Sequence, residues 1–401
     1  MGFTRLCVFA GAICAFVHGS ALAGEPGVTD TEIRVGNTMP YSGPASALGV
    51  AGKTISAYFE MVNQAGGFGG RKIKFITLDD GYSPPKTVEQ TRRLVESDEV
   101  AVVFSSLGTP TNSAVRKYLN DAKVPQLFIA SGADKWASPA EFPWTIGWAP
   151  SYRIEARIYG AYLLRTKPAA KVAVLYQNDD FGKDYLIGLR DALKDKFDAM
   201  VVAKASYEAS DPSVDSQIVT LKASGADVLV TAATPKFATQ VIRKVGDLNW
   251  KPVHLLSYVS ASVGAVLQPA GLDKSEGLIT ANYLKDPSDS RWDNDPGMAV
   301  YREFVKKFMP GANVLDRDMM NGYGAAYTFD AVLKAAGDDL SRKNIMRVAT
   351  SLNGLEVPVL LPGIRLTTSP TNYRPIRQMQ LQEFDGKGWR LFGELIDGGV
   401  E

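Results

Sequence analysis

Cysteine is almost missing from this 401-residue chain, and the two present, Cys7 and Cys14, both sit near its start. The rest of the chain can therefore build neither a disulfide framework nor a thiolate metal site. Histidine is equally scarce, since His18 and His254 are the only two. Beyond the first segment only His254 remains, inside a predicted strand, which leaves a His-based triad no choice of base and excludes His-rich metal sites. Net charge is nearly absent as well: 44 basic against 43 acidic residues leave +1. Such a balance gives no bulk field to draw nucleic acid or an anionic membrane surface. Nor is there a membrane span. The one long apolar run, 6–17, falls short of the roughly 20 residues a bilayer needs and is broken by His18, Gly19 and Ser20.

What the sequence does contain begins with that run. Arg5 precedes it and Ala21-Leu22-Ala23 follows it, which together spell a positive n-region, an apolar core and a small-residue cleavage motif. The expectation is a signal peptide over 1–23, cleaved near Ala23, and a periplasmic protein. A lipid anchor would need a cysteine just after a small residue, but Cys7 follows Leu6 and Cys14 follows Ile13. Removing Arg5, the only Lys, Arg, Asp or Glu in that segment, takes the net charge from +1 to 0. With both cysteines removed too, stability must come from packing.

The remaining length suits two cores, because single domains mostly run to roughly 100–200 residues. β-Branched runs alternate with amphipathic stretches: strands near 33–37, 72–78, 100–104 and 126–129, separated by helices that carry Ile55, Phe59 and Val62, then Val88, Leu94 and Val95, then a segment opening at Pro110. A second series places strands at 171–176, 200–203, 227–230 and 253–256, with helices near 183–196, 214–223 and 236–245. This is βαβ repetition, which implies parallel sheets with helices on both faces.

The two series share an internal likeness. A strand leads to Thr109-Pro110, a helix, Val124-Pro125 and another strand; later a strand leads to Thr234-Pro235, a helix, Lys251-Pro252 and another strand. Each Thr-Pro falls at the carboxyl end of its strand, where open α/β sheets place their ligand crevices. Thr-Pro is also a good helix start on its own, with Thr at the cap and Pro in the first turn.

Several short stretches resemble the leucine/isoleucine/valine-type periplasmic binding proteins that serve branched-chain amino acid ABC transporters. They are Pro40-Tyr41-Ser42-Gly43-Pro44, Asn63-Gln64-Ala65-Gly66-Gly67-Phe68-Gly69-Gly70, Asp79-Asp80, Tyr176-Gln177-Asn178-Asp179-Asp180-Phe181-Gly182-Lys183-Asp184 and Ser275-Glu276-Gly277-Leu278. The resemblance implies an α/β type I periplasmic binding protein fold: two Rossmann-like lobes joined by a three-crossover hinge, closing on a ligand. It implies lobe one over 24–148 plus 282–378, and lobe two over 149–281 plus 379–401. It further implies a monomeric extracytoplasmic receptor that hands a small carboxylate ligand to ABC permease subunits, with no cofactor and no nucleic acid.

For the ligand's carboxylate the resemblance points to Leu107-Gly108-Thr109-Pro110-Thr111 and Ala130-Ser131-Gly132-Ala133. The chemistry is sensible without it, because the first amides of a helix lack partners and present a partial positive charge to an anion. Gly108 permits close approach, Thr109 and Ser131 offer hydroxyls, and Ala133 ends the second loop. Walls are expected from Tyr41, Leu48, Phe181, Thr234, Tyr258 and Met319, any of which could equally be core filling. Amino-acid-binding members place an acid where this chain has Tyr258. A phenol supplies no countercharge for a desolvated ammonium, so an aromatic or other organic acid is at least as well expected as an amino acid.

Two other classes compete. An exported enzyme finds surface support in Ala47-Leu48-Gly49-Val50-Ala51-Gly52-Lys53-Thr54, yet a P-loop needs Gly where Ala47 stands. The pairs Asp79-Asp80 and Asp179-Asp180 read as solvated loop acids and not as a catalytic dyad. A sensory module for a membrane regulator would share every feature inside the lobes.

Overall fold

The computed structural model describes residues 25–399 together with Gly2. The expected signal peptide, its cleavage point near Ala23 and both cysteines lie outside the described residues. The first series forms a five-stranded sheet of β1 (Glu32–Met39), β2 (Lys72–Asp79), β3 (Val102–Phe104), β4 (Gln126–Ile129) and β5 (Thr145–Gly147), ordered β2-β1-β3-β4-β5. Its pairings are all parallel. Every residue of β3, β4 and the edge strand β5 is buried, as expected of a parallel sheet covered on both faces.

The second series repeats that order. β6 (Val172–Gln177), β7 (Val201–Tyr207), β8 (Val228–Ala232), β9 (Val253–Leu256) and β10 (Ile279–Asn282) lie as β7-β6-β8-β9-β10, all parallel. Beyond β10 come β11 (Gln378–Phe384), β12 (Trp389–Leu391) and β13 (Ile396–Asp397), which pair antiparallel. The sequence pattern ended at β9 and did not reveal β5 or β10–β13. β5 is only three residues long, and the antiparallel hairpin alternates buried and half-buried positions too briefly to stand out.

The chain passes between the sheets three times. After β5 the helix Tyr152–Thr166 packs against the second sheet's helix Asp180–Leu193; after β10 the helices Pro296–Phe308 and Arg317–Ala336 return to the helix Val50–Gln64 of the first; β11 then rejoins the second sheet. The return is fixed by close contacts. A Cβ on Gly322 would run into the Ala51 carbonyl, and Trp148 Nε1 donates to Thr328 Oγ1 at 2.9 Å. Gln126–Ile129 and Val253–Leu256 fall where the sequence places them, while the helix expected at 183–196 starts at Asp180 because Asp179 caps it, accepting from the Phe181 and Gly182 amides at 3.0 and 3.4 Å.

Two glycines set the depth of the second unit's helix pair. A Cβ on Gly160 would meet the Ala192 Cβ at 2.5 Å, and one on Gly188 would meet the Ala156 Cβ at 2.7 Å and also collide with the Arg153 carbonyl. Helix propensity alone favours Ala over Gly by about 1 kcal/mol. Overpacking opposes it by about 1–3 kcal/mol. Gly188→Ala should therefore lower the stability read from urea unfolding, whereas a gain would mean that the helices can separate freely.

Candidate functional site

Both sheets share one strand order, so each has its topological switch beside its first strand, and the crevice forms outside the carboxyl ends there. Those two ends face each other across a small cavity of about 50 Å³. Leu48 follows β1, Tyr82 follows β2, Leu107, Gly108 and Thr109 follow β3, Ala130 and Ser131 follow β4, and Ala149 follows β5. From the other side come Phe181 after β6, Thr234 after β8, and Tyr258 with Val259 after β9. The paired Thr-Pro loops thus do open onto one space.

Seven expected residues line this cavity: Leu48, Gly108, Thr109, Ser131, Phe181, Thr234 and Tyr258. Three do not. Tyr41 turns outward, its hydroxyl 2.6 Å from Thr77 Oγ1 and its ring against Gly52. Ala133 faces a neighbouring shallow pocket beside Trp136. Met319 is fully buried in the core under the helix Arg317–Ala336, because it points into the packing side one residue past the cavity wall.

Gly108 is required by backbone as well as space. Its φ is +108°, a region that favours glycine, and an added Cβ would stand 2.5 Å from Thr111 Oγ1 and 2.6 Å from the Tyr82 ring. The Thr109 and Ser131 hydroxyls are 2.7 Å apart and buried. Ser131 Oγ already accepts from Trp136 Nε1 at 3.0 Å and from the Ala133 amide at 3.3 Å. With both lone pairs used, the Ser131 hydroxyl is left as a donor toward Thr109 or the Tyr152 phenol beside it, and the Thr109 hydroxyl stands at the cavity wall. The Tyr152 phenol stands beside them; burial pushes it up to about 12, against hydrogen bonds from Gly132, Ser131 and Thr109.

Tyr258 is held at three points. Its amide donates to Glu155 Oε1 at 2.8 Å, its phenol donates to the Pro150 carbonyl at 2.9 Å, and its carbonyl accepts from Arg317 Nη1 at 3.0 Å. The phenol's proton is therefore committed to the protein, not offered to a ligand ring as the sequence suggested. Glu155 lies deeper, fully buried, and accepts the Tyr159 hydroxyl at 2.6 Å and the Tyr185 hydroxyl besides the Tyr258 amide.

The sequence reading found no acid for this cleft, and the structure corrects that. Arg317, Asp318 and Asn321, from the first turns of the helix Arg317–Ala336, line the cavity. They arrive from more than 160 residues beyond Ala149 in the chain, carried by the return crossing, so no local pattern announced them. The one available signal was their adjacency to Met319. Tyr82 and Tyr152 were missed likewise, Tyr82 although it directly follows Asp79-Asp80-Gly81. That acidic pair is not simply solvated: Asp80 is buried and accepts the Tyr82 amide at 3.0 Å and Thr87 Oγ1 at 2.9 Å. It builds the turn that aims Tyr82. Lys53 of the near-P-loop is exposed, and His254 sits on β9 with Nε2 at 2.8 Å from Thr231 Oγ1. Among the described residues no cluster of three or more His, Cys, Asp or Glu could hold a metal.

Burial governs the titration of these groups. Desolvation first of all pushes Glu155 and Asp318 up to about 8 and Asp184 up to about 7. Each then binds its proton more tightly folded than unfolded, so each favours folding fully below the unfolded value and loses that contribution as pH rises through the folded one. Burial lowers His254 to about 3, so it is neutral in both states above about pH 6.5 and drops out. Between pH 6.5 and 8.5 the unliganded protein should lose thermal stability, with a shallower slope in Glu155→Gln. A melting temperature that rises across that window would contradict this.

The periplasmic binding protein family model matches residues 32–388. Leu/Ile/Val-binding protein homolog 7 of Brucella abortus is 23% identical over 337 residues, covering 80% of this chain and 82% of the relative. Leu/Ile/Val-binding protein homolog 1 of Brucella suis is 25% identical over 345 residues, with 84% and 85% covered. Among solved structures, a substrate-binding periplasmic protein from Ralstonia solanacearum superposes with a TM-score of 0.81 at 22% identity over 90% of this chain and all of that one. A branched chain amino acid ABC transporter protein from Thermus thermophilus with bound valine gives 0.82 at 16% over 92% and 97%. The matched span takes in every strand from β1 to β11 and every residue of the cleft; this chain belongs to the periplasmic binding protein family, of the Leu/Ile/Val-binding type.

Proposed function

We propose that this protein is the solute receptor of an ABC importer, which captures a small carboxylate-bearing molecule between its lobes and releases it unaltered to the permease. The lobes are 24–148 plus 282–378, and 149–281 plus 379–401, with the leader 1–23 removed on export. The observation that carries the reading is the Thr109–Ser131 hydroxyl pair at the start of the helix Thr109–Asp121, inside the cavity. A helix start offers unpartnered amides and the positive end of its dipole. The hydroxyl pair adds a proton donor at the same wall. Together they form an anion seat needing no bare cation.

Two structural neighbours support the ligand class, one with bound valine and one a fatty acid ABC transporter substrate-binding protein from Thermomonospora curvata, of TM-score 0.79. Both ligands carry a carboxylate. The walls around the seat are apolar or aromatic, from Leu48, Leu107, Phe181 and Val259, as suits a binding pocket that holds and does not react. Glu155, the buried acid beneath the cleft, spends its oxygens on Tyr159, Tyr185 and Tyr258 and does not line the cavity.

Thr109→Val removes the donor while nearly keeping volume, and should weaken a carboxylate ligand by about 1–3 kcal/mol in calorimetry. The ligand's methyl ester should bind far more weakly than the free acid. Full-strength binding of the ester would remove the carboxylate seat from the account.

A further inference from the structure

The cleft has a second polar wall, opposite in character to the anion seat. Asp318 lines the cavity, is 3% exposed, and its Oδ2 has no hydrogen-bond partner in the protein. Buried side-chain oxygens are nearly always satisfied, and leaving one bare costs about 1–3 kcal/mol, more for a charged group. The other oxygen, Oδ1, has only a loose approach from Arg317 Nη1 at 3.9 Å. Arg317 cannot turn to serve Asp318, because it is fixed on Asn282 Oδ1, at 3.3 Å from Nε and 2.9 Å from Nη2, and on the Tyr258 carbonyl. The one nearby acid, Asp316, accepts the Asp318 amide at 3.1 Å and Ser262 Oγ at 3.1 Å and offers no donor.

An acceptor held bare at the wall of a ligand cavity calls for a donor that arrives with the ligand. We propose that Asp318 selects the ligand: its free oxygen accepts a hydrogen bond from a hydroxyl or ammonium group borne by the same molecule whose carboxylate occupies the Thr109 seat. This rests on the carboxylate reading above and narrows it to carboxylates that carry a hydrogen-bond donor. The selection works by exclusion. A plain fatty or aromatic acid closes the cleft over Asp318 without satisfying it, whereas a donor-bearing acid removes that cost. Desolvation, with the Asp316 charge next, pushes the Asp318 carboxyl up to about 8 against the pull of Arg317, which agrees with a group awaiting a partner. Sites built to pair with a substrate hydroxyl or amine reject the analogue lacking it more strongly than apolar walls reject a change of size.

The test is calorimetry on the full chain with two matched sets: leucine, leucic acid and isocaproic acid; phenylalanine, phenyllactic acid and hydrocinnamic acid. Within at least one set a donor-bearing member should bind about tenfold or more tightly than the acid without a donor. Asp318→Leu should collapse that preference. Asp318→Asn keeps an oxygen but no charge, so a hydroxyl preference should persist in it and an ammonium preference should collapse. Its unliganded melting temperature should not fall, since the substituted oxygen has no protein partner to lose, while a purely structural Asp318 would make it fall. Equal binding of the donor-bearing and donor-free acids overturns the inference and leaves the carboxylate seat standing, as does an unchanged preference in Asp318→Leu. No binding by any of the six overturns both. Should Asp318→Leu fail to fold, the comparison of ligands on the unaltered protein and on Asp318→Asn still decides.

Discussion

The Arg317 guanidinium is 1% exposed, and a cation so far from water persists only where dipoles and acceptors surround it. Its partners come from two separate parts of the chain: Asn282 and Tyr283 at the end of β10, through an amide oxygen and a ring at 5.3 Å, and Tyr258 after β9, through its carbonyl and a ring at 5.7 Å. Each acceptor is itself placed by something else. Asn282 stands where the chain leaves the second sheet, and Tyr258 is pinned through its amide to Glu155 and through its phenol to Pro150. One buried cation thus joins the return crossing to the strand ends that form the cleft. Truncating it would take the charged donor from the Tyr258 carbonyl and the Asn282 amide oxygen, leaving each with backbone amides alone, and would untie the return crossing from the strand ends.

The same arrangement explains how the cleft can hold an anion without spending that cation on it. Arg317's bonds are directed at the protein, so the charge stabilises the wall and makes the potential in the cavity more positive without gripping a ligand. In the proposed reading the grip falls to the Thr109 turn. There Gly108 at φ +108° lets the backbone approach, and the filled acceptors of Ser131 leave its hydroxyl as a donor beside Thr109. A neutral donor with fixed direction discriminates by geometry. It costs little when the cleft is empty, because hydroxyls can rotate to one another or to water.

Most of the sheet framework could be read from the sequence, because parallel inner strands are continuous apolar runs and their helices repeat at a helical period. The ligand-facing ends were legible to the extent that they follow those strands directly: Gly108, Thr109, Ser131, Phe181 and Thr234 each sit within five residues of a strand end. Arg317, Asp318 and Asn321 obey no such rule. They reach the cavity because Gly322 lets one helix press against Ala51 of another some 270 residues earlier in the chain, a long-range fit that periodicity does not encode. Tyr41 and Met319 failed for a related reason. A residue next to a cavity wall in sequence points elsewhere when the backbone turns, as Tyr41 does toward Thr77, or when a helix advances by about 100° per residue, as between Asp318 and Met319.

The contacts across the cleft also bear on how closure is balanced. Gln177 Nε2 donates to the Tyr82 hydroxyl at 3.2 Å, the Asp134 amide donates to Asp184 Oδ2 at 2.7 Å, Lys135 pairs with Asp180 at 2.8 Å, and Ser262 Oγ reaches Asp316 Oδ1 at 3.1 Å. These join the side of the first sheet to that of the second with no ligand required. Individually they are modest, since an exposed ion pair is worth about 0–1 kcal/mol and a neutral hydrogen bond about 0.5–1.5 kcal/mol net. If the proposed lobes open and close, the bare Asp318 oxygen stands against these contacts, a cost that the closed form alone bears, because an open cleft would let water satisfy it. A ligand shifts such an equilibrium only by its differential affinity for the two forms. A molecule that fills the Thr109 seat and satisfies Asp318 acts on both counts: it adds contacts made only on closure and removes the penalty that opposes it. The group that narrows the choice of ligand is then the same group that holds the empty receptor back from closing.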